Sequence, residues 1–157
     1  MCTDRDSKIG NFTRKPSNFS TAYIATESET QVLAREFAGQ LQCGDIVALH
    51  GDLGAGKTTF VKGIVGVLSP ENLVQSPTFI YLNIYEGKIP LYHFDLYRLE
   101  NEKAFLQMGF FDYLAAEKGI CLIEWPERIS SLLPTQTKHV LLKHTKNGGR
   151  QVELFCI

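Results

Sequence analysis

The stretch Gly51-Asp52-Leu53-Gly54-Ala55-Gly56-Lys57-Thr58 constrains this chain more than any other. It satisfies the spacing G-x-x-x-x-G-K-[ST] at every fixed position. Its glycines let the backbone turn tightly and aim successive N–H groups inward, which makes a cup for phosphate oxygens. From residue frequencies, a chance match in a chain of 157 residues is on the order of half a percent. The flanks agree with the motif. Asp45 to His50 is an apolar run of strand length, and Thr59 to Leu68 puts apolar positions 60, 61, 64, 65 and 68 on one helical face. Strand, loop and helix in that order predict an α/β fold of the P-loop NTPase kind, with the helix N-terminus completing an anion site.

The chemistry of such a loop assigns roles. Asp52, Leu53, Gly54, Ala55, Gly56, Lys57, Thr58 and Thr59 form the expected nucleotide-binding stretch. Lys57 supplies a point charge to the β- and γ-phosphates, and the Thr58 hydroxyl is placed to ligate Mg²⁺. The ion also needs a carboxylate from the end of a neighbouring strand. Ile120-Cys121-Leu122-Ile123-Glu124 sets an acid after four apolar residues, and Leu91-Tyr92-His93-Phe94-Asp95 has the same shape. Ligands of open α/β sheets gather at the carboxyl ends of strands. Glu124 is favoured for the metal, because its strand reads as central. Asp95 is its partner, either behind the metal ligands or as the group that orients the attacking water. A helix-capping acid and a turn former are the structural alternatives for these two.

Other segments fill in the organisation. Residues 1–20 mix charge, Asn, Ser and Pro16 without periodicity and read as a mobile N-terminal arm, leaving 21–157 as one domain. Thr21 to Ala25 reads as a strand. Thr26 and Glu29 have capping-box spacing before a helix carrying Leu33, Phe37 and Leu41, which Gly44 closes. Residues 79–94 read as a hairpin turning at Glu86-Gly87-Lys88, residues 100–114 as a helix broken near Gly109, and residues 127–132 as a short helix after Pro126. His139 to His144 and Gln151 to Cys156 flank Lys146-Asn147-Gly148-Gly149, a hairpin signal. A strand–loop–helix unit combined with hairpins implies a three-layer sandwich around a mixed parallel and antiparallel central sheet.

Composition excludes several classes. The net charge of −1 leaves no strongly basic nucleic-acid-binding character. Cys2, Cys43, Cys121 and Cys156 form no CxxC pair, so neither a zinc site nor a disulfide framework is indicated. No apolar run reaches membrane-spanning length and the first twenty residues lack an apolar signal core, so a soluble, cytoplasmic setting without membrane association is expected.

Ser76-Pro77-Thr78 follows the phosphate-loop helix, where the Thr78 hydroxyl is suited to a switch that senses the γ-phosphate, with Ser76 beside it. Arg98 and Arg128 each lie just beyond a candidate acid and could contact phosphate or a partner. A solvated salt bridge is the commoner fate of such residues. Trp125 could pack on nucleotide or partner, or on the core. His93, His139 and His144 lack metal-ligand spacing and read as packing.

Taken in series, the phosphate loop, Ser76-Pro77-Thr78-Phe79, His93-Phe94-Asp95-Leu96-Tyr97-Arg98-Leu99 and Ile123-Glu124-Trp125-Pro126-Glu127 closely resemble the TsaE (YjeE) family of small bacterial P-loop ATPases, over about residues 24–156. The resemblance implies ATP hydrolysis in making threonylcarbamoyladenosine, the tRNA modification beside the anticodon, together with TsaD and TsaB. It implies ATP or ADP and Mg²⁺ as ligands. It gives Lys57 and Thr58 to the phosphates and the ion, Thr78 to a switch loop, Asp95 and Glu124 to the ion and water, and Trp125 to the vicinity. It assigns no residue to direct contact with tRNA. Gly66-Val67-Leu68 departs from the family's Gly-Leu-Gly-like close and touches no site residue. With no assured arginine finger, hydrolysis by the isolated chain should be slow. A small-molecule kinase is an alternative for which 157 residues leave little room for a lid. A GTPase lacks its Asn-Lys-x-Asp element here. A non-catalytic nucleotide-binding adaptor stays open because Glu replaces Asp after strand 120–123.

Overall fold

The computed structural model describes residues 13–15, 19–77 and 79–156. In chain order its elements are β1 (Thr13–Lys15), β2 (Phe19–Ile24), α1 (Glu27–Ala38), β3 (Ile46–His50), α2 (Lys57–Leu68), β4 (Leu82–Tyr85), β5 (Leu91–Asp95), α3 (Glu102–Gln107), α4 (Phe111–Leu114), β6 (Ile120–Glu124), a 3₁₀ segment (Pro126–Leu132), β7 (Lys138–His144) and β8 (Arg150–Cys156).

Eight strands form one sheet in the order β1-β2-β8-β7-β3-β6-β5-β4. The middle of the sheet is parallel, with β3 between β7 and β6 and with β5 beside β6. Antiparallel pairs extend it on both sides. Central parallel strands are covered on both faces, which is why β6 is buried along its whole length and reads as a continuous apolar run. One face of the sheet packs Val47, Leu49, Leu91 and Leu122 against Leu33 and Phe37 of α1 and Phe60 and Ile64 of α2. The other packs Phe94 and Ile123 against Leu96, Leu99, Phe105 and Ile129. This is the expected mixed three-layer sandwich. Burial holds α2 in place more than helix propensity does. Its two glycines each cost about 1 kcal/mol relative to alanine, whereas fully burying Phe60 or Ile64 contributes about 1.5–3 kcal/mol each.

Local signals explain the edges of the elements. The Thr26 side chain accepts from the Glu29 N–H at 3.2 Å while Glu29 Oε2 accepts from the Ala25 N–H at 2.7 Å, so the capping box closes in both directions. Helix α1 stops at Ala38, earlier than Gly44, because Gly39 caps it. Leu41 still reaches the core through the tighter turn made by Gln40 N–H to Phe37 O and Leu41 N–H to Ala38 O. The hairpin begins at Leu82, not at residue 79, because Pro77 O accepts from both Ile80 and Tyr81 and ties these two residues back in a turn. The segment after Pro126 is 3₁₀ and kinked at Ile129, not α-helical. Of the expected N-terminal arm, residues 1–12 and 16–18 lie outside the described residues. Residues 13–15 and 19–20 are strand, since β8 offers an edge that β2 pairs with and β1 extends. Among the described residues no helix is long and apolar enough to cross a membrane.

Candidate phosphate-binding site

Strand β3 enters the loop at His50, and α2 leaves it at Lys57. Gly56, the helix N-cap, sits in the left-handed region with φ of 104°, a conformation glycine takes at no steric cost. Lys57 is only 4 % exposed. Its Nζ folds back and donates to Gly51 O at 2.6 Å and Asp52 O at 2.9 Å. Burial pushes this ammonium below the ordinary lysine range, while the carboxylates of Glu124, Asp95, Glu127 and Asp52 pull it back up. Nζ also lies 4.0 Å from the centre of the Trp125 ring, a cation–π contact. To present that ring Trp125 adopts φ of 60°, costly for a bulky side chain. Tyr97 backs it at 4.9 Å between ring centres.

The register of β5 and β6 sets Asp95 opposite Glu124, and both are buried. Thr58 Oγ1 donates to Glu124 Oε1 at 2.9 Å and Oε2 at 3.2 Å. Ser76 Oγ donates to Asp95 Oδ2 at 3.1 Å, and the Tyr97 N–H donates to Oδ1 at 3.1 Å. Lys57, Thr58, Ser76, Asp95, Glu124 and Trp125 all line one cavity of about 300 Å³. Thr59 lines it too, with its hydroxyl donating to Glu27 Oε1 at 2.7 Å.

These donors fit Mg²⁺. The ion takes hard oxygens in octahedral geometry at about 2.0–2.1 Å, which puts neighbouring ligands roughly 3 Å apart. Thr58 Oγ1 and Glu124 Oε1 stand at 2.9 Å. Among the described residues no group of three or more His, Cys, Asp or Glu is arranged to hold a metal. Mg²⁺ binds through one or two carboxylates plus substrate phosphates and water rather than in an all-protein cage.

Two other residues read from sequence are placed differently. Arg98 is exposed and lays its guanidinium over the Phe79 ring at 4.6 Å, outside the residues lining the cavity. Arg128 donates to Tyr97 O at 3.3 Å. Thr78 lies outside the described residues.

Sequence reasoning missed two more. His93, read as packing, is fully buried, with Nε2 2.9 Å from Glu124 Oε1 and Nδ1 3.3 Å from the Tyr85 hydroxyl. Burial raises the Tyr85 phenol above its ordinary value, and its hydroxyl donates to Gln75 O at 3.3 Å. The parity of β5 was the available signal, because His93 shares a strand face with Asp95. Arg150, at the start of β8, also lines the cavity. No local pattern marks it, since Arg150 stands 94 positions after Gly56 in the chain and only the sheet order brings the two together.

Comparison with known proteins points to one family. The model of the family described as "Threonylcarbamoyl adenosine biosynthesis protein TsaE" matches residues 24–152. A Bacillus subtilis protein named tRNA threonylcarbamoyladenosine biosynthesis protein TsaE is 38 % identical over 130 residues, covering 82 % of this chain and 80 % of its own. A Nostoc protein of the same name is 40 % identical over 136 residues, covering 84 % and 83 %. The crystal structure of Bacillus subtilis YdiB superposes with a TM-score of 0.74 at 29 % identity, covering 92 % of this chain and 89 % of that one.

Proposed function

The chain belongs to the TsaE family of threonylcarbamoyladenosine biosynthesis proteins, and from that premise we propose that it is the Mg²⁺-dependent ATPase of this tRNA-modifying machinery, working in the cytoplasm with TsaD and TsaB. One observation carries the reading. Lys57, Thr58, Asp95 and Glu124 converge on a single cavity at the carboxyl ends of adjoining parallel strands.

Each side chain has a task in phosphoryl transfer to water. Lys57 exchanges the Gly51 and Asp52 carbonyls for β- and γ-phosphate oxygens, and Trp125 keeps its ammonium in place. Thr58 and Glu124 would hold Mg²⁺, which when bound would neutralise charge on the phosphates. Asp95, steadied by Ser76 and the Tyr97 amide, orients the water that attacks the γ-phosphorus as the bond to the β-phosphate oxygen breaks. Partner contact would order the loop around Ser76 and Thr78 and speed an intrinsically slow reaction. The test is co-purification with TsaB and TsaD, with phosphate release measured before and after mixing and tRNA modification measured in the reconstituted system. Mixing should raise hydrolysis, and Lys57→Ala should abolish modification. Full modification by Lys57→Ala would refute the energy-coupling role.

A further inference from the structure

We propose that Tyr85 is a positioning residue for the reaction: its hydroxyl donates to His93 Nδ1 and so holds the ring with Nε2–H aimed at the Glu124 carboxylate. This role deepens the reading of Glu124 as the carboxylate that would hold Mg²⁺, and rests on it. It falls to a tyrosine outside the residues lining the cavity.

A line of polar groups runs from Glu124 to the loop that carries Ser76. Glu124 Oε1 stands 2.9 Å from His93 Nε2, His93 Nδ1 stands 3.3 Å from the Tyr85 hydroxyl, and that hydroxyl stands 3.3 Å from Gln75 O. His93 is fully buried and Tyr85 is 5 % exposed, so both side chains need partners inside the protein. Strand register builds the line. Asn83 of β4 lies directly opposite His93 of β5, and Tyr85, two residues on, shares that face and reaches the ring diagonally.

Counting protons along the line sets each bond's direction. A carboxylate only accepts, so the nitrogen that faces it, Nε2, carries a proton. Nδ1 faces the Tyr85 hydroxyl, which can donate or accept. Two observations make it the donor. Burial raises the phenol above its ordinary value, which keeps its proton in place. The competing acceptor, Gln75 O, already receives the Asn83 Nδ2 amide at 2.9 Å, whereas Nδ1 has no other donor among the described residues. One proton shared between two acceptors makes two long bonds, in keeping with the equal distances of 3.3 Å. Nδ1 is then the acceptor, and the ring is fixed in one tautomer. Fixing matters because the χ2 torsion of histidine and the terminal torsion of glutamate are both soft. A ring turned over would show Glu124 a carbon in place of Nε2–H. Tyr85 on the far side opposes that turn, and Glu124 keeps the orientation in which Thr58 reaches both of its oxygens.

The test uses the full chain with ¹⁵N-labelled histidine, without nucleotide, and reads the two ring nitrogens of His93 by NMR. Wild type should carry the ring proton on Nε2, with Nδ1 hydrogen-bonded as an acceptor, a readout that needs no variant to fold. Tyr85→Phe should move the Nδ1 resonance to that of an unbonded acceptor. It should also raise the Mg²⁺ concentration needed for half-maximal ATP hydrolysis about tenfold, the low end for a group that supports a metal ligand, with most of the loss recovered at saturating Mg²⁺. In a double-mutant cycle, adding Tyr85→Phe to His93→Phe should raise the Mg²⁺ requirement no further, because the ring through which Tyr85 acts is gone. A ring proton on Nδ1 in wild type, an Nδ1 resonance indifferent to Tyr85→Phe, or losses that simply add in the double variant would each overturn the assignment. Wild-type hydrolysis that ignores Mg²⁺ would overturn the reading of Glu124 instead, since the ring spectrum tests Tyr85 without nucleotide or ion.

Discussion

Gly63→Ala and Gly66→Ala make the same change on the same helix and are expected to move stability in opposite directions. Alanine is about 1 kcal/mol better than glycine in a helix interior. Gly66 is exposed, and a Cβ built there meets nothing within 4 Å, so Gly66→Ala should keep that gain. At Gly63 the Cβ would stand 2.5 Å from Ala34 Cβ, 2.7 Å from Gln31 O and 3.1 Å from Gln31 Cα, on the facing helix α1. Normal carbon contacts are roughly 3.5–4.0 Å, so the helices must separate by about 1 Å. Overpacking costs about 1–3 kcal/mol, and the upper end applies because backbone atoms cannot rotate aside. Subtracting the propensity gain leaves Gly63→Ala about 2 kcal/mol less stable. For a domain of this size that lowers Tm by about 4–8 °C, while Gly66→Ala raises it by about 2–4 °C. Urea titration and calorimetry of the two variants beside wild type check both values. Separating α1 from α2 also pulls Glu27 from Thr59, so nucleotide affinity should fall in the first variant only. Two stabilised variants would refute the close helix contact and the rigid coupling of α1 to the phosphate loop.

Other outcomes follow from the same geometry. His93→Phe removes the ring nitrogen that meets Glu124, so the Mg²⁺ concentration needed for half-maximal nucleotide hydrolysis should rise about 10- to 100-fold; an unchanged requirement in a folded variant would show that His93 only packs. Burial pushes the Cys121 thiol up to about 12, so it should resist alkylation at pH 8 while exposed Cys43 reacts, as mass spectrometry would show. Because the unfolded thiol ionises near 9.0 and the folded one does not, this group's contribution to stability is full below 9.0 and declines towards pH 12, by about 1.4 kcal/mol per pH unit, a slope that Cys121→Val should remove. His50 and His139 stand ring on ring with Nε2 and Nδ1 2.9 Å apart, and burial lowers both, with His139 further lowering His50. Folding then disfavours their protonation, so stability is present above the unfolded value of 6.5 and lost as pH falls below it; His139→Phe should flatten that acid limb in urea midpoints.

Local signals were readable wherever neighbours in sequence do the work. The Thr26–Glu29 capping box closed as spaced, and the β7–β8 hairpin formed around Lys146-Asn147-Gly148-Gly149. Strand ends blurred where a turn competed. Residues 79–81, rich in β-formers, fold into the Pro77 turn instead, and Phe79 is left 80 % exposed. Similarly, the Leu41 periodicity extended α1 on paper, but Gly39 ends it and Leu41 is buried from a turn.

The sequence alone determined the phosphate loop, the strand before it and the helix after it, and nominated Glu124 and Asp95 by their place at the ends of apolar runs. All of these depend on spacing within a few residues, where backbone geometry leaves little choice. Only the tertiary structure decided that β5 lies beside β6, so that the two acids meet. It also decided that His93 backs Glu124, that Trp125 covers Lys57, and that Arg150 returns from the far end of the chain to lie on Gly56. Those contacts follow from strand order and register, which are settled by how the whole set of apolar faces packs together and leave no trace in any short stretch of residues.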